Sequence, residues 1–149
     1  MAILLPLLVI AVFALAFVLL AGSRVKAERA RQAGWAAEAR RLGLDHAAGD
    51  PLGMAARLNV DEVAETVSGT VDGRRVAALN VTRVRMRDGI GDGPPTRYTW
   101  SVGIALDASG PDGKPVVVDR RPQKLSLTHS PLPASQLEGL LRETAARAA

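Results

Sequence analysis

The sequence predicts an α+β fold with an N-terminal transmembrane helix that is extended by a basic helix. A small antiparallel sheet of about four strands, packed by a C-terminal helix, is expected to follow. Residues 2–21 carry no charged, amide or hydroxyl side chain. Residues 63–118 contain short apolar runs separated by turn residues, which is typical of strands. Residues 134–148 place leucines and alanines three and four positions apart, which is typical of an amphipathic helix.

The apolar segment is expected to span a membrane as the first region of the chain, residues 1–22. Twenty helical residues rise about 30 Å, which matches the hydrocarbon thickness of a bilayer. A buried helix of a soluble protein rarely keeps such a run, and a cleaved signal peptide usually begins with a basic region. Because no Lys or Arg precedes Arg24, we expect the segment to be retained as an anchor.

A basic juxtamembrane helix is expected at residues 23–43. Residues 23–41 contain six basic and two acidic side chains, whereas residues 42–149 contain thirteen of each. This excess of positive charge predicts that the flank and the following domain are cytoplasmic, with the N-terminus outside the cell membrane. It also predicts that the lipid bilayer is a partner through its anionic headgroups. The residues expected to contact the membrane surface are Arg24, Lys26, Arg29 and Arg31.

The remaining residues, 44–149, are expected to form one small α+β domain. The residue pattern predicts strands at 63–71, 74–87, 96–107 and 114–119, with residues 45–59 as a connector that holds one possible helical turn. Asp72-Gly73 predicts a hairpin with a type I′ turn, which needs a positive φ at both central residues. The last helix, residues 134–148, is expected to cover one side of the sheet.

Residue spacing also predicts how these elements pack. Val63, Val67 and Val71 are expected to point the same way, with Glu65 among them as an edge or end residue. The strand at 74–87 is apolar on both faces at its centre, which predicts a central strand covered by a helix. Trp35 can pack the basic helix onto the domain or anchor it at the membrane interface, and its distance from the apolar segment favours packing.

Composition and motifs exclude several kinds of site. The chain has no Cys, which excludes disulfides, thiolate nucleophiles and Cys-ligated zinc. The glycines at 89–93 lack the Gly-Lys-Ser/Thr of a phosphate-binding loop and precede two prolines. We therefore assign no catalytic, cofactor or metal residue and expect no enzyme. An enzyme would need a pocket that gathers at least two of these residues: Asp45, His46, Asp88, Asp92 and His129.

Arg83, Arg85 and Arg87 lie two positions apart, which places them on one face of a strand end. They could contact phosphate oxygens of lipid headgroups or of nucleic acid. The interpretation we prefer at this point is a solvated strand end paired with Asp88 and Asp92. Few aromatic residues lie outside the apolar segment, so we expect no nucleic-acid partner.

Two short stretches carry a family resemblance. The runs VSGTVDGRRVA, at 67–77, and TRYTWSV, at 96–102, resemble a group of short single-pass bacterial membrane proteins of uncharacterised function. Those proteins also share an N-terminal span, a basic Ala-rich helix with a Trp, and a Gly-Thr-x-x-Gly-Arg hairpin. The resemblance covers residues 2–107 and implies a layout, but it implies no activity.

The function expected from the sequence is therefore that of an anchored interaction or accessory module at the inner leaflet, with an unknown protein partner. Two alternatives stay open. The domain could lie outside the cytoplasm and bind an envelope ligand, or it could be an enzyme whose site is assembled from scattered residues.

Overall fold

The computed structural model describes residues 4–85, 95–121 and 131–149. The chain divides into two compact units, Met1–Ala33 and Gly34–Ala149. Helix α1 runs from Leu4 to Arg41 and supplies residues to both.

The first unit consists of the N-terminal part of α1. This helix is long and apolar enough to cross a membrane, by length and composition, and its apolar window has a mean hydropathy of 2.0. None of that window is buried. The large apolar side chains from Val9 to Val25 are 47–74% exposed. The core helix of a soluble protein would instead bury such side chains.

The second unit contains a five-stranded antiparallel sheet in which each strand pairs with the next along the chain. The strands are β1 Asp45–Ala48, β2 Glu62–Val71, β3 Arg74–Arg85, β4 Thr96–Ser109 and β5 Pro115–Asp119. The helices of this unit, besides the end of α1, are α2 Met54–Leu58 and α3 Leu137–Arg147, the latter preceded by a 3-10 turn at Ala134–Gln136. The expected α+β class, with a C-terminal helix packed on a meander, is confirmed.

The first strand is an addition to the four that the sequence predicts. β1 lies in the segment expected to be a connector, and the expected helical turn of that segment is α2. The four residues of β1 are Asp, His and two alanines, which lack both the β-branched residues and the alternation of a strand. The strand forms because β2 has a free edge, to which Asp45–Ala48 pairs in register with residues 65–68.

The β2–β3 hairpin has the turn that its sequence predicts. Asp72 has a φ of 50° and Gly73 a φ of 78°. Val71 and Arg74 pair directly on either side of them, so the loop has two residues. Positive φ at both positions is the requirement of a type I′ turn, and it sets the register of the two long central strands.

One face of the sheet, the helix face, packs against α3 and the end of α1. Its buried apolar residues include Trp35, Ala39 and Leu44 together with Leu140 and Leu141 of α3. Trp35 is fully buried, and its Nε1 donates to the backbone oxygen of Leu132 at 2.8 Å. The expectation that Trp35 packs its helix onto the domain is thus confirmed.

The other side of the sheet, the opposite face, is also apolar. Its buried residues include Leu79 and Val81 of β3 and Trp100 and Ile104 of β4, and Met54 of α2 packs with them. Asp50 stabilises the first turn of α2, because its side chain accepts hydrogen bonds from the backbone N–H groups of Met54 and Ala55 at 2.7 and 2.8 Å. β3 is therefore a central strand that is buried on both sides, as its apolar centre predicts.

Candidate functional site

The residues expected to contact the membrane surface all lie on α1. Lys26 and Arg29 are exposed and form no ion pair with any residue that the structure describes. Arg31 forms a charged hydrogen bond with Glu28, three positions earlier, with Nε 3.1 Å from Oε2. Among these residues, the described side chains thus include two exposed cations one helical turn apart and a third cation held in an ion pair.

Four polar side chains form a continuous row on the helix face, one from each of the first four strands. This polar row consists of His46, Glu65, Asn80 and Ser101. His46 Nε2 lies 3.0 Å from Glu65 Oε2, and Asn80 Nδ2 donates to Glu65 Oε1 at 2.6 Å. Ser101 Oγ donates to Asn80 Oδ1 at 2.5 Å. The last three side chains are at most 1% exposed.

A β-bulge places Glu65 in this row. Val63 pairs with Val81 and Glu65 with Asn80, so the strand holds one extra residue between the two pairs. An extra residue reverses the alternation of faces along a strand. Val63 therefore lies on the opposite face, whereas Val67 and Val71 lie on the helix face. The expectation that these three valines point the same way is wrong, and Glu65 is a buried central residue rather than an edge residue.

The polar row forms a chain of hydrogen bonds that links four strands of the sheet. A buried carboxylate is tolerated when both oxygens are hydrogen-bonded, as they are in Glu65. At the far end Ser101 Oγ accepts the backbone N–H of Leu132 at 2.8 Å. His46 and Ser101 are separated by two intervening side chains, so the imidazole cannot take the proton of this hydroxyl.

Of the scattered residues that an enzyme would need, the structure describes two, and these lie at adjacent positions of β1 with side chains on opposite faces. Asp45 is exposed on β1, and His46 is half-buried beside Glu65. Asp88, Asp92 and His129 lie outside the described residues. Within residues 4–85, 95–121 and 131–149, no group of three or more His, Asp or Glu side chains could hold a metal ion.

The expected strand-end arginines share a face with two aromatic residues. Arg83 pairs in register with Tyr98. Arg85 follows Arg83 by two residues on β3 and Trp100 follows Tyr98 by two on β4, so they lie on the same face at either side of this pair. Arg121, beyond the end of β5, places its Cζ 4.5 Å from the centroid of the Trp100 ring. We call Arg83, Arg85, Tyr98, Trp100 and Arg121 the arginine–tryptophan cluster. Arg87, Asp88 and Asp92, which the sequence also places here, lie outside the described residues.

Sequence reasoning found two arginines of this cluster from their spacing, but not Arg121. Arg121 lies 36 residues or more from Arg83 and Arg85 along the chain, and only the register of β4 with β5 brings it to Trp100. The polar row was missed for a similar reason, because no local signal in the sequence marks the bulge before Glu65.

An ion-pair network joins the end of α1 to α3. Arg41 donates to Glu38 at 2.6 Å and to Glu138 at 2.5 Å, and Glu138 also accepts from Arg142. The hydrogen bond from Arg41 holds the pKa of the Glu38 carboxyl below its ordinary value. Hydrogen bonds from Arg41 and Arg142 lower the pKa of Glu138 in the same way. The two carboxylates in turn raise the pKa of Arg41, which stays charged.

Comparison of the chain with protein-family models, with curated proteins and with solved structures finds no match in any of the three.

Proposed function

We propose that the protein is a single-pass membrane protein whose α+β domain lies in the cytoplasm and acts as an interaction or accessory module at the inner leaflet. The observation that carries the proposal is the exposure of the apolar part of α1. Its side chains from Val9 to Val25 would contact water along a whole helix surface in a soluble protein. A bilayer removes that cost because every apolar side chain then faces lipid.

The position of the charge supports the orientation. The positive excess of the whole chain, +4, is found within residues 23–41, directly after the apolar segment. Basic residues that flank a span are retained on the cytoplasmic side. Lys26 and Arg29, both exposed, are the side chains most available to anionic headgroups, each contributing about 1 kcal/mol near such a surface.

The role as a module rests on the domain itself. Its polar row is used in hydrogen bonds between strands, which supports a structural rather than a chemical role. The resemblance of residues 2–107 to short single-pass bacterial membrane proteins supports the same layout. We include this protein in that group as part of the proposal.

Cysteine labelling tests both the insertion and the orientation. The chain has no Cys, so Ser109→Cys and Ser135→Cys each introduce a single thiol at an exposed position of the domain. We expect both variants to stay in the membrane pellet after alkaline carbonate washing. A membrane-impermeant maleimide should label them only after the cells are permeabilised.

The controls separate the alternatives. The parent chain without Cys gives the background of the labelling reaction. Labelling of intact cells would contradict the cytoplasmic placement and favour an extracytoplasmic domain that binds an envelope ligand. Recovery of the protein in the carbonate supernatant would contradict the anchor itself.

A further inference from the structure

The arginine–tryptophan cluster carries more positive charge than the described residues around it neutralise. Arg121 pairs with Asp119 at 3.3 Å, and Arg83 donates to the backbone oxygen of Asn59. Arg85 is exposed and forms no hydrogen bond or ion pair with any described residue. Among the described residues, the three guanidinium groups therefore have one carboxylate partner, so most of their N–H donors have no acceptor within the described part of the chain.

Trp100 adds a buried donor to the same place. Its side chain is 3% exposed, and its Nε1 is buried without a hydrogen-bond partner in the described part of the chain. Buried N–H groups are almost always hydrogen-bonded, and the indole nitrogen can act only as a donor. This donor, which belongs to a cluster with three guanidinium groups, therefore has no acceptor oxygen among the described residues.

The five residues of the cluster line a small cavity of about 10 Å³. This volume admits about one group of the size of a water molecule. A ligand could therefore insert a single oxygen, while its remaining oxygens stay at the surface within reach of the arginine side chains. A tetrahedral oxyanion has this shape, and guanidinium groups bind its oxygens through charge-assisted hydrogen bonds.

We propose that the arginine–tryptophan cluster is a binding site for a phosphate group, with one oxygen accepting the Trp100 N–H and others accepting from Arg83, Arg85 and Arg121. The phosphate can belong to a lipid headgroup or be free in solution. The site does not depend on the proposed orientation of the anchor, so the two proposals can fail separately.

The two indole N–H signals of the full-length protein provide the readout, since the chain has only two tryptophans. In neutral detergent micelles, inorganic phosphate should shift the Trp100 signal saturably, whereas chloride at equal ionic strength should not. The Trp35 signal reports the fold, because that indole is bonded to Leu132 in the core. Arg121→Gln should weaken phosphate binding by about tenfold or more.

The matched control is Arg97→Gln. Arg97 pairs with Val84 at the same end of the sheet but lies on the other face, where it forms an ion pair with Glu62. This variant removes the same charge without touching the cluster, so it should bind phosphate like the parent. If both variants bound phosphate equally weakly, the loss of affinity would reflect the net charge of the protein, and the proposed site would be wrong.

Nanodiscs identify the source of the phosphate. The full chain is placed in discs of phosphatidylcholine alone or with phosphatidic acid, without added phosphate. A shift of the Trp100 signal only in the anionic discs supports a headgroup ligand. A response to inorganic phosphate in micelles without a response to the discs supports a free phosphate. If the signal moves in neither arm, or moves equally with chloride, the proposal is wrong.

Discussion

Asn80 donates a hydrogen bond from Nδ2 to Glu65 Oε1, at 2.6 Å, in the middle of the sheet. Both residues are at most 1% exposed. Both ends of the amide are hydrogen-bonded, since its oxygen also accepts from Ser101. A single amide therefore connects a buried carboxylate on β2 with a buried hydroxyl on β4. Because it lies between these two side chains, its loss would break the hydrogen bonds of the row to both neighbouring strands.

Replacement of Asn80 by Ala should destabilise the domain by about 2–4 kcal/mol. The change removes two buried hydrogen bonds, one to Glu65 and one from Ser101, and leaves their polar atoms unpaired in the core. Chemical denaturation, followed by the fluorescence of the two buried tryptophans, measures the free energy of unfolding. Ser109→Ala, at an exposed position of β4, is the control and should change it by less than about 0.5 kcal/mol. Equal stability of the Asn80 variant and the parent would contradict a structural role for the row.

The class of the fold follows from the sequence because its signals are periodic and local. The run of Tyr98, Trp100, Val102 and Ile104 identifies β4 by alternation alone, and Asp72-Gly73 identifies the hairpin. β1 could not be predicted in this way, since its four residues form a strand only by pairing with an existing edge.

The side chains of the candidate sites depend on features that are not local. The bulge between Val63 and Glu65 reverses the faces of β2 from that point, so a correct strand assignment still gave a wrong face for Val63. The arginine–tryptophan cluster likewise depends on the pairing of β3, β4 and β5, and the register of β4 with β5 places Arg121 beside Trp100. Spacing along the chain found Arg83 and Arg85, because those two residues lie on one strand.

Replacement of Gly103 by Ala should destabilise the domain by about 1–3 kcal/mol through overpacking. A Cβ at this position of β4 would lie 2.0 Å from Thr144 Oγ1 and 3.1 Å from Leu140 Cδ1, both on α3. The same denaturation measurement gives the change. In the double variant with Thr144→Ala, the worst contact is gone and the Leu140 methyl can move, so the combined loss should be smaller than the sum of the two single losses.

Gly139→Ala is the matched control for this contact. Gly139 lies on α3, the helix that Gly103 contacts, and a Cβ there would meet no atom within 4 Å. Since Ala is the better helix former, this variant should be as stable as the parent or more stable by up to about 1 kcal/mol. A loss of stability at Gly139 equal to that at Gly103 would mean that the helix as a whole, and not the close approach, is sensitive to added methyl groups.

Replacement of Gly73 by Ala should weaken the hairpin by about 1 kcal/mol, because its φ of 78° is unfavourable for a residue with a Cβ. Asp72→Asn is the control, since Asn accepts a positive φ as readily as Asp and Asn-Gly is a preferred type I′ pair. It loses only an exposed ion pair with Arg142 at 3.4 Å, so its stability should match that of the parent. Thermal unfolding of the full chain ranks the two variants. An equal loss in both would show that the turn conformation is not what the glycine supplies.

Replacement of Arg41 by Gln should reduce stability at neutral pH and have little effect in acid. The pKa values of Glu38 and Glu138 lie below 4.5 in the folded protein because Arg41 donates to both carboxylates. A carboxyl with a lowered folded pKa stabilises the fold above its unfolded pKa, and this contribution is lost as the pH falls through the lowered value. The difference between parent and variant should therefore be constant above about pH 5 and shrink below pH 4.5. Denaturation midpoints measured from pH 7 to pH 3 test this.

Arg40→Gln removes an adjacent exposed charge that has no ion pair among the described residues, and it should show no such pH dependence. A gap between the Arg41 variant and the parent that persists unchanged to pH 3 would assign the effect to lost packing of the arginine stem rather than to the two carboxylates.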